Sequence, residues 1–355
     1  MKTENSHHTF QEIISQPQAW EAVLGEVSGK SKDLLNLWKP EEIDEVIFTG
    51  CGSTFYLSRT AAMIFQGKVG SLATAYPASE LLLFPNLTLS KARRRLLVAI
   101  SRSGETTETL RAIDSFRSLK QGDVIGITCY EESTLPLKTT LALVARKAKE
   151  ESIAQTRSFT SMLVAAQSMA SILSGQEISK KSMQLPELGT ALIQEYASMA
   201  QALWNDPQIE RFFFLGNGPY YGLACETMLK MKEMSLSYSE AYHFLEFRHG
   251  PMSMVNSNTL VVGLLSETAL LQEAAVLKDM RSLGARVLAV TPTRISSGEI
   301  DHQIVLPTGL SDLERGPLYL PILQLLAFYR ALYNGQSPDQ PNNLSAVVHL
   351  DFESL

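Results

Sequence analysis

Residues 46–62 read VIFTGCGSTFYLSRTAA, and residues 211–227 read RFFFLGNGPYYGLACET. Each stretch is an apolar run that predicts a buried strand, followed by a Gly-x-Gly motif and a helix start rich in small residues. The two Gly-x-Gly motifs begin at Gly50 and Gly216, about 166 positions apart in the chain. A pattern that returns after such a distance indicates a tandem duplication.

Two further pairs of similar segments follow at nearly the same distance. LLVAISRSGETTETL from Leu96 corresponds to LVVGLLSETALLQEA from Leu260, and DVIGITC from Asp123 corresponds to ARVLAVTP from Ala285. Continuously apolar strands that are each followed by a helical pattern are typical of parallel sheets covered on both faces. The sequence therefore predicts an α/β fold with two similar halves.

Helical and turn patterns outside the strands predict the domain limits. We expect a helical extension over 1–40, a first domain over 41–184, a linker helix over 185–207, a second domain over 208–335 and an irregular tail over 336–355. The tail contains SPDQPNN, and chain ends of this composition usually fray. Order in the tail would therefore need specific contacts.

Composition and charge exclude several classes of protein. Of the 355 residues, 45% are hydrophobic and 19% are charged, which is typical of a globular chain, and a net charge of -6 argues against a nucleic-acid partner. We find no apolar run long enough to cross a membrane and no signal-peptide pattern at the N-terminus. Three scattered cysteines indicate neither disulfides nor a metal cluster. The sequence predicts a cytoplasmic protein without membrane partner, metal or other cofactor.

The Gly-x-Gly motif alone has several interpretations. It occurs in dinucleotide-binding folds, but GCGSTF lacks the third glycine of that fingerprint. No acidic ribose ligand follows at the expected distance either. An NAD-dependent dehydrogenase is therefore excluded as an interpretation.

A group of hydroxyls follows the strand LLVAI, at the start of the next helix. They belong to Ser101, Ser103, Thr106 and Thr107, and Ser53 and Thr54 follow the neighbouring strand. A helix start adds free backbone N–H groups and the positive end of the helix dipole, which together suit a phosphate. A single serine here would be an ordinary helix cap. The number of hydroxyls favours a phosphate site.

The corresponding loop of the second half, Leu265 to Thr268, reads LSET and has lost two hydroxyls. We therefore expect one strong phosphate site in each chain and a different role for the second half.

Acid–base candidates follow in the second half. Glu226, Lys230 and Glu233 recur at i, i+4 and i+7 and so share one helix face. Neighbouring Met231 and Met234 would raise the pKa of a Glu233 carboxyl and suit it to proton abstraction. A face of this pattern is, however, more often a solvated row of salt bridges.

A histidine offers a second acid–base group. His249 lies in the stretch FRHGP, where glycine and proline stop regular structure, and imidazole exchanges protons near neutral pH. Lone histidines more often have a structural role. His243 is an alternative with less turn character around it.

Four segments in this order resemble the motifs of tandem SIS (sugar isomerase) domain proteins: GCGST, SRSGETTET, EESIAQTRSFTSM and LKMKEMSLSYSEAYHFLEFRHGP. The chain is similar to the isomerase half of glucosamine-6-phosphate synthase and to stand-alone bacterial amino-sugar-phosphate isomerase/deaminases, from about Val46 to Asn343. The resemblance implies two tandem SIS domains, each a parallel-sheet three-layer αβα sandwich of flavodoxin-like type.

The resemblance also implies roles for individual residues. Those that would hold the sugar phosphate are Ser53, Thr54, Ser101, Arg102, Ser103 and Thr106, and those lining the sugar are Gln155 and Thr156. Glu233 would move a proton between C1 and C2, Lys230 would support it, and His249 would open the sugar ring. In the synthase this histidine comes from the partner subunit, which implies a homodimer with an active site completed across the interface.

Two departures from the synthase bear on the activity. Arg102 replaces a glutamine, which suggests a tighter hold on the phosphate, and Ala346 replaces a tail lysine, so that Schiff-base capture of the sugar is not expected. We also expect no glutaminase domain.

The predicted function is that of a phosphosugar isomerase/deaminase. It would convert glucosamine 6-phosphate to fructose 6-phosphate and ammonia, or catalyse a related aldose–ketose isomerisation. A fructosamine-6-phosphate deglycase and a non-catalytic sugar-phosphate-binding regulator remain alternatives.

Overall fold

Two five-stranded parallel sheets organise the structure, a computed structural model that describes residues 4–89, 93–120, 122–204, 206–296, 298–348 and 350–351. The described residues divide into two units. The first-half unit holds residues from 18–150, 157–183 and 345–351, and the second-half unit holds residues from 4–17, 151–156 and 184–344. The helical extension predicted over 1–40 is thus shared between the units, while the predicted domain boundaries stay a prediction.

The strands of the two sheets are β1 Glu45–Gly50, β2 Ala73–Pro77, β3 Arg95–Ile100, β4 Val124–Thr128 and β5 Leu141–Val144 in the first-half unit, and β6 Arg211–Gly216, β7 Tyr238–Tyr242, β8 Thr259–Leu264, β9 Arg286–Thr291 and β10 His302–Val305 in the second-half unit. The spatial orders are β2-β1-β3-β4-β5 and β10-β9-β8-β6-β7, and every neighbouring pair is parallel. When β6 is matched to β1, both sheets have the flavodoxin-like order 2-1-3-4-5. The predicted duplication and the predicted fold class are confirmed.

The α-helices are α1 His8–Ile14, α2 Gln16–Gly29, α3 Ser31–Leu37, α4 Ser53–Val69, α5 Ala78–Leu83, α6 Pro85–Thr88, α7 Thr107–Ser118, α8 Thr134–Leu137, α9 Arg157–Leu173, α10 Lys180–Met183, α11 Leu185–Trp204, α12 Tyr220–Ser235, α13 Phe244–Phe247, α14 Leu270–Ser282 and α15 Leu320–Tyr333. Short 3₁₀ turns cover Glu4–Ser6, Arg146–Ala148, Pro251–Met254 and Gly316–Tyr319. No helix in the described part of the chain is both long and apolar enough to cross a bilayer.

In the first-half unit, alternate side chains of β1 enter two different layers, as expected of a strand. Ile47 belongs to a buried cluster with Leu81 of α5 and Phe116 of α7. Phe48 meets Phe65 of α4 with ring centroids 5.7 Å apart. Because both faces are covered, each residue of β1 is buried, which explains the apolar run from Val46 to Phe48.

The second-half unit repeats this arrangement. Phe213 of β6 packs in a cluster with Phe247 of α13 and Met280 of α14. The neighbouring Phe212 meets the guanidinium of Arg330, on α15, at 5.4 Å from the ring centroid. Three layers are therefore present in both units.

The first glycine of each Gly-x-Gly motif allows a helix to approach the end of a strand. A Cβ atom on Gly50 would lie 2.5 Å from the Thr54 hydroxyl oxygen, and one on Gly216 would lie 2.5 Å from the Tyr220 carbonyl oxygen. Such distances are shorter than real carbon contacts, so only glycine leaves room for the helix. The motif therefore sets how α4 and α12 begin.

The second glycine of each motif has a backbone angle that other residues avoid. The φ angles are +54° at Gly52 and +52° at Gly218. These angles turn the chain from strand into helix within a few residues, and a Cβ atom would strain them. The loop that follows the first strand is therefore shaped alike in both units.

The predicted tail has no helix or strand in its described residues, but it is held by specific contacts. The Asp339 carboxylate accepts hydrogen bonds from the backbone N–H and the hydroxyl of Thr9, at 2.9 Å and 2.8 Å. The Nδ1 atom of His7 lies 3.2 Å from the same carboxylate. These contacts are the specific reason that order in the tail requires, while residues 349 and 352–355 lie outside the described residues.

Replacing the strand-end glycines tests this account. We expect Gly50→Ala and Gly216→Ala each to lower the free energy of unfolding by about 1–3 kcal/mol, because the new methyl group collides with the following helix. The measurement is urea unfolding followed by circular dichroism.

Gly25→Ala is the matched control, because Gly25 lies in α2 with nothing within 4 Å of the new Cβ. It should raise the stability by about 0.4–1 kcal/mol. Equal effects at Gly25 and Gly50 would contradict the close-approach explanation.

Candidate functional site

The loop between β3 and α7, residues 101–106, is shaped by its own hydroxyls. The buried hydroxyl of Ser101 accepts a hydrogen bond from the Gly104 N–H at 3.1 Å and lies 3.1 Å from the Thr106 hydroxyl. The Ser103 hydroxyl accepts from the Glu105 N–H at 3.2 Å. The hydroxyls that the sequence predicts to bind phosphate thus also fix the course of the loop.

Two backbone donors of this loop have no acceptor in the described part of the chain. No described residue accepts a hydrogen bond from the N–H of Ser103 or from that of Thr106. Both precede the first turn of α7, where the helix dipole favours negative charge. The loop therefore offers amide donors to an anion, as a phosphate site requires.

The hydroxyl of Thr54 has a structural role in the neighbouring loop after β1, and the predicted contacts of Ser53 and Thr54 with a phosphate stay a prediction. The Thr54 hydroxyl accepts from the N–H of Cys51 and donates to its carbonyl, both at 2.9 Å, and so closes the turn. Ser53 is buried at the start of α4. Burial raises the pKa of the half-buried Cys51 thiol to about 11, so that this thiol is protonated near neutral pH and unsuited to nucleophilic catalysis.

Arg102 lies in the phosphate loop, but its guanidinium is engaged within the protein. Its Nη2 donates to the Ala346 carbonyl at 3.0 Å, and its Nη1 lies 3.5 Å from the buried Glu150 carboxylate. That carboxylate also accepts from the Ser158 N–H at 3.1 Å. The positive charge is thus compensated internally, and the predicted hold of Arg102 on a phosphate stays a prediction.

The tail also reaches the start of α7. The Thr107 N–H donates to the Val348 carbonyl at 3.4 Å, and the Leu350 N–H donates to the Thr107 hydroxyl at 3.2 Å. The sequence predicts Thr107 as a hydroxyl donor for phosphate, whereas in the structure its hydroxyl accepts a hydrogen bond from the tail. Nothing in the sequence of the tail signals these contacts, because the partners lie more than 240 positions apart.

The acid–base residues of α12 form a buried ion-pair group. The Lys230 ammonium lies 2.5 Å from Glu233 Oε2 and 3.4 Å from Glu226 Oε1. The exposed fractions of the side chains are 0% for Glu226, 1% for Lys230 and 19% for Glu233. A solvated row of salt bridges, the usual interpretation of this spacing, is therefore wrong here. Of the three groups, only Glu233 reaches solvent appreciably.

The two histidines occupy different surroundings. His249 is exposed just after α13, and its backbone N–H donates to the Glu246 carbonyl at 3.0 Å. His243 follows β7 directly and stacks on Tyr221 with ring centroids 3.8 Å apart. The predicted turn around His249 is present, since Gly250 has a φ angle of +128°.

Gln155 and Thr156 belong to the second-half unit. The Gln155 side-chain oxygen is buried and has no hydrogen-bond partner among the described residues. Thr156 is fully buried, and its carbonyl accepts from the Gln324 amide at 3.3 Å. A buried acceptor without a donor indicates that Gln155 could receive a ligand hydroxyl.

The predicted site residues thus fall into two sets. Those at the carboxyl edge of the first sheet are Ser53, Thr54, Ser101, Arg102, Ser103 and Thr106, and those in the second-half unit are Gln155, Thr156, Lys230, Glu233 and His249. In the described part of the chain, no group of three or more His, Cys, Asp or Glu side chains could hold a metal ion.

Comparison with known proteins decides the family. The SIS domain family matches residues 41–172 and 208–332, which is most of the chain and covers both sheets. The chain belongs to the SIS domain family. The predicted family membership is therefore confirmed, and the two matches correspond to the two halves of the duplication.

Several SIS relatives cover nearly the whole chain. Glutamine–fructose-6-phosphate aminotransferase [isomerizing] of Bordetella pertussis is 30% identical over 364 residues, which are 97% of this chain and 58% of that protein. Glucosamine-6-phosphate deaminase of Thermotoga maritima has a similar structure, with a TM-score of 0.78, 32% identity and coverage of 97% of this chain and 100% of that one. The chain thus spans less than two thirds of the aminotransferase.

A third relative shows the fold alone. Tagatose-6-phosphate ketose/aldose isomerase of Escherichia coli superposes with a TM-score of 0.86 at 24% identity, over 97% of both chains. The two structures share the sheets and the helices around them.

Removing the ammonium of Lys230 from the buried ion-pair group should destabilise the fold. We expect Lys230→Met to lower the free energy of unfolding by about 3–5 kcal/mol, because the fully buried Glu226 carboxylate loses its counter-charge. Urea unfolding measures the loss.

Lys232→Met provides the control on the same helix, since Lys232 is exposed. It should change the stability by no more than about 0.5 kcal/mol. Similar losses from both substitutions would show that the charge of Lys230 does not matter for folding.

Proposed function

We propose that this SIS protein is a phosphosugar isomerase/deaminase acting on an amino-sugar 6-phosphate. The observation that carries the proposal is the buried Glu226–Lys230–Glu233 group, in which Glu233 alone reaches solvent appreciably. The similarity to a glucosamine-6-phosphate deaminase over the whole of that chain supports it. Glucosamine 6-phosphate is the first substrate to test.

The phosphate of the substrate is assigned to the loop after β3. The free N–H groups of Ser103 and Thr106 are the donors that support this assignment. Hydroxyls of Ser101 and Ser103 accept hydrogen bonds from the N–H groups of Gly104 and Glu105, and so fix the loop that presents the two free amides. A phosphate monoester bound there would gain charge-assisted hydrogen bonds without needing a free cation.

Glu233 is assigned the proton transfer. In the open-chain sugar its carboxylate takes the proton from C2, and the electron pair left on C2 forms the C1=C2 double bond. The π bond of the C1 carbonyl opens at the same time, and O1 takes a proton from water, which gives the enolamine. Return of the proton to C1 gives the imine of fructose 6-phosphate. Water then adds to the imine carbon, and ammonia leaves. The close ammonium of Lys230 holds the Glu233 carboxylate in one orientation.

His249 is assigned the opening of the sugar ring. This step moves a proton from the C1 hydroxyl to the ring oxygen, for which an imidazole is suited near neutral pH. The exposure of His249 leaves its ring accessible. His243 is less suited, because its ring is stacked on Tyr221.

A deglycase remains the second candidate within the same chemistry. A fructosamine 6-phosphate carries its nitrogen on C1, so it would pass through the corresponding C1-amino enolamine and release a larger amine from C1 in place of ammonia from C2. A purely regulatory sugar-phosphate-binding protein is the candidate from another class. It would bind the phosphate through the loop after β3 and would not need the buried acid–base group.

The assay for the proposal follows ammonia and fructose 6-phosphate formed from glucosamine 6-phosphate. We expect Glu233→Gln to lower kcat by about 10²–10⁴-fold, because the amide cannot accept the C2 proton. Binding of the substrate, measured by the rise in thermal midpoint, should persist in the variant.

Glu187→Gln is the matched control, since Glu187 is exposed on α11. It should retain the rate of the wild type. Full activity of Glu233→Gln would refute the assignment of the base. Turnover of fructosamine 6-phosphates alone would favour the deglycase, and thermal stabilisation by sugar phosphates without any turnover would favour the regulator.

We further propose that the protein is a homodimer in which each site takes His249 from the partner subunit. Glu233→Gln and His249→Asn should then each be inactive alone. Mixing and refolding them together should restore about a quarter of the wild-type activity, because half of the dimers contain one intact site. Absence of recovery in mixed dimers would place both residues of a site in one subunit.

A further inference from the structure

The second-half unit contains a counterpart of the phosphate loop. It lies between β8 and α14, at residues 265–269. The Leu265 N–H donates to the Val290 carbonyl on the next strand, as the Ser101 N–H donates to the Ile127 carbonyl in the first-half unit. The two loops therefore leave their sheets at equivalent positions.

The amides of this second loop are occupied by a side chain. The Asp312 carboxylate accepts from the N–H groups of Glu267 and Thr268 at 2.9 Å and 3.0 Å. It also accepts from the Thr268 hydroxyl at 2.8 Å and from the Tyr220 hydroxyl at 3.0 Å. Each oxygen of the carboxylate thus receives one amide and one hydroxyl hydrogen bond, as the oxygens of a bound anion would.

A buried cation completes the surroundings of Asp312. The Arg315 side chain is 3% exposed, and its Nη1 lies 3.9 Å from Asp312 Oδ1. Its Nη2 bonds to the Glu267 carboxylate at 2.6 Å and to the Leu310 carbonyl. Its Nε and Nη1 have no hydrogen-bond partner among the described residues. The guanidinium therefore has donors to spare beside the carboxylate, enough for an anion with more oxygens.

We propose that the loop after β8 is a second phosphate-type anion site, and that the chain fills it with the carboxylate of Asp312. The duplication would otherwise give two sites for a phosphate monoester. With Asp312 in place, the second site is closed and one remains.

The first-half unit shows how the other site stays open. Glu150 lies in the connection after β5, as Asp312 lies in the connection after β10. Its carboxylate is directed to Arg102 and to the start of α9 at Ser158. The amides of Ser103 and Thr106 are consequently left for a ligand. The direction of one acidic side chain distinguishes the two loops.

The charge state of Asp312 agrees with this role. Burial disfavours its ionised form, but the hydrogen bonds from Glu267, Thr268 and Tyr220 outweigh burial and hold its pKa below the ordinary value. The carboxylate is therefore an anion at neutral pH.

Removal of the resident carboxylate should open the site to inorganic phosphate. We expect Asp312→Ala to lower the thermal midpoint of the full chain by roughly 3–8 °C in sodium chloride, because four donors lose their acceptor. Sodium phosphate at the same ionic strength should restore at least about half of that loss in a saturable manner. In the wild type only the loop after β3 is open, so phosphate should raise its thermal midpoint by less.

Two further variants show whether the additional phosphate binds at the loop after β8 and not at the loop after β3. Arg315→Met in the Asp312→Ala background should abolish the additional response to phosphate, because the facing cation is gone. Asp33→Ala, at an exposed position of α3, should respond to phosphate as the wild type does.

The proposal would be overturned if Asp312→Ala had the same thermal midpoint in phosphate as in chloride. It would also be overturned if the midpoint of Asp312→Ala in chloride equalled that of the wild type. Should Asp312→Ala fail to fold in chloride, folding in phosphate supports the proposal. Asp312→Ser, which leaves room for an ion, is then measured in the same way. Failure of both variants to fold in phosphate counts against an anion site.

Discussion

Burial of the strands on both faces leaves little of either sheet for polar chemistry. Phe48 and Phe213 illustrate this constraint, because each is fully buried by helices of its own unit. Polar groups therefore collect where strands end, and the loops after β1, β3, β6 and β8 are the places at which backbone donors become available. The close approach of α4 to Gly50 and of α12 to Gly216 then determines how the loops after β1 and β6 are held.

The chain stabilises buried carboxylates in two ways. Glu226 and Glu150 face cations, the ammonium of Lys230 and the guanidinium of Arg102. Glu273 is also fully buried, but it accepts hydrogen bonds instead, from the backbone N–H and hydroxyl of Ser266 and from the side-chain amide of Asn217. Burial still raises the pKa of its carboxyl. Because a buried charge without such partners would be strongly destabilising, each acid fixes the loop or helix around it.

Much of the fold follows from local sequence, and less of the site does. Apolar runs and Gly-x-Gly motifs predict β1 and β6 correctly, because burial and turn geometry act on neighbouring residues. The contacts of Arg102 with Ala346 and of Glu267 with Asp312 join residues far apart in the chain, which no local pattern reveals. The spacing of Glu226, Lys230 and Glu233 predicts correctly that they share one helix face. Whether that face is exposed to solvent depends on the packing of α12, which the spacing does not reveal.

The protonated state of Cys51 has a consequence for chemical intervention. With a pKa of about 11, fewer than roughly one molecule in a thousand carries the thiolate in a neutral medium. Electrophilic warheads and peroxide both react with the thiolate form. The loop after β1 is consequently a poor anchor for a covalent inhibitor, and its thiol should react slowly with peroxide.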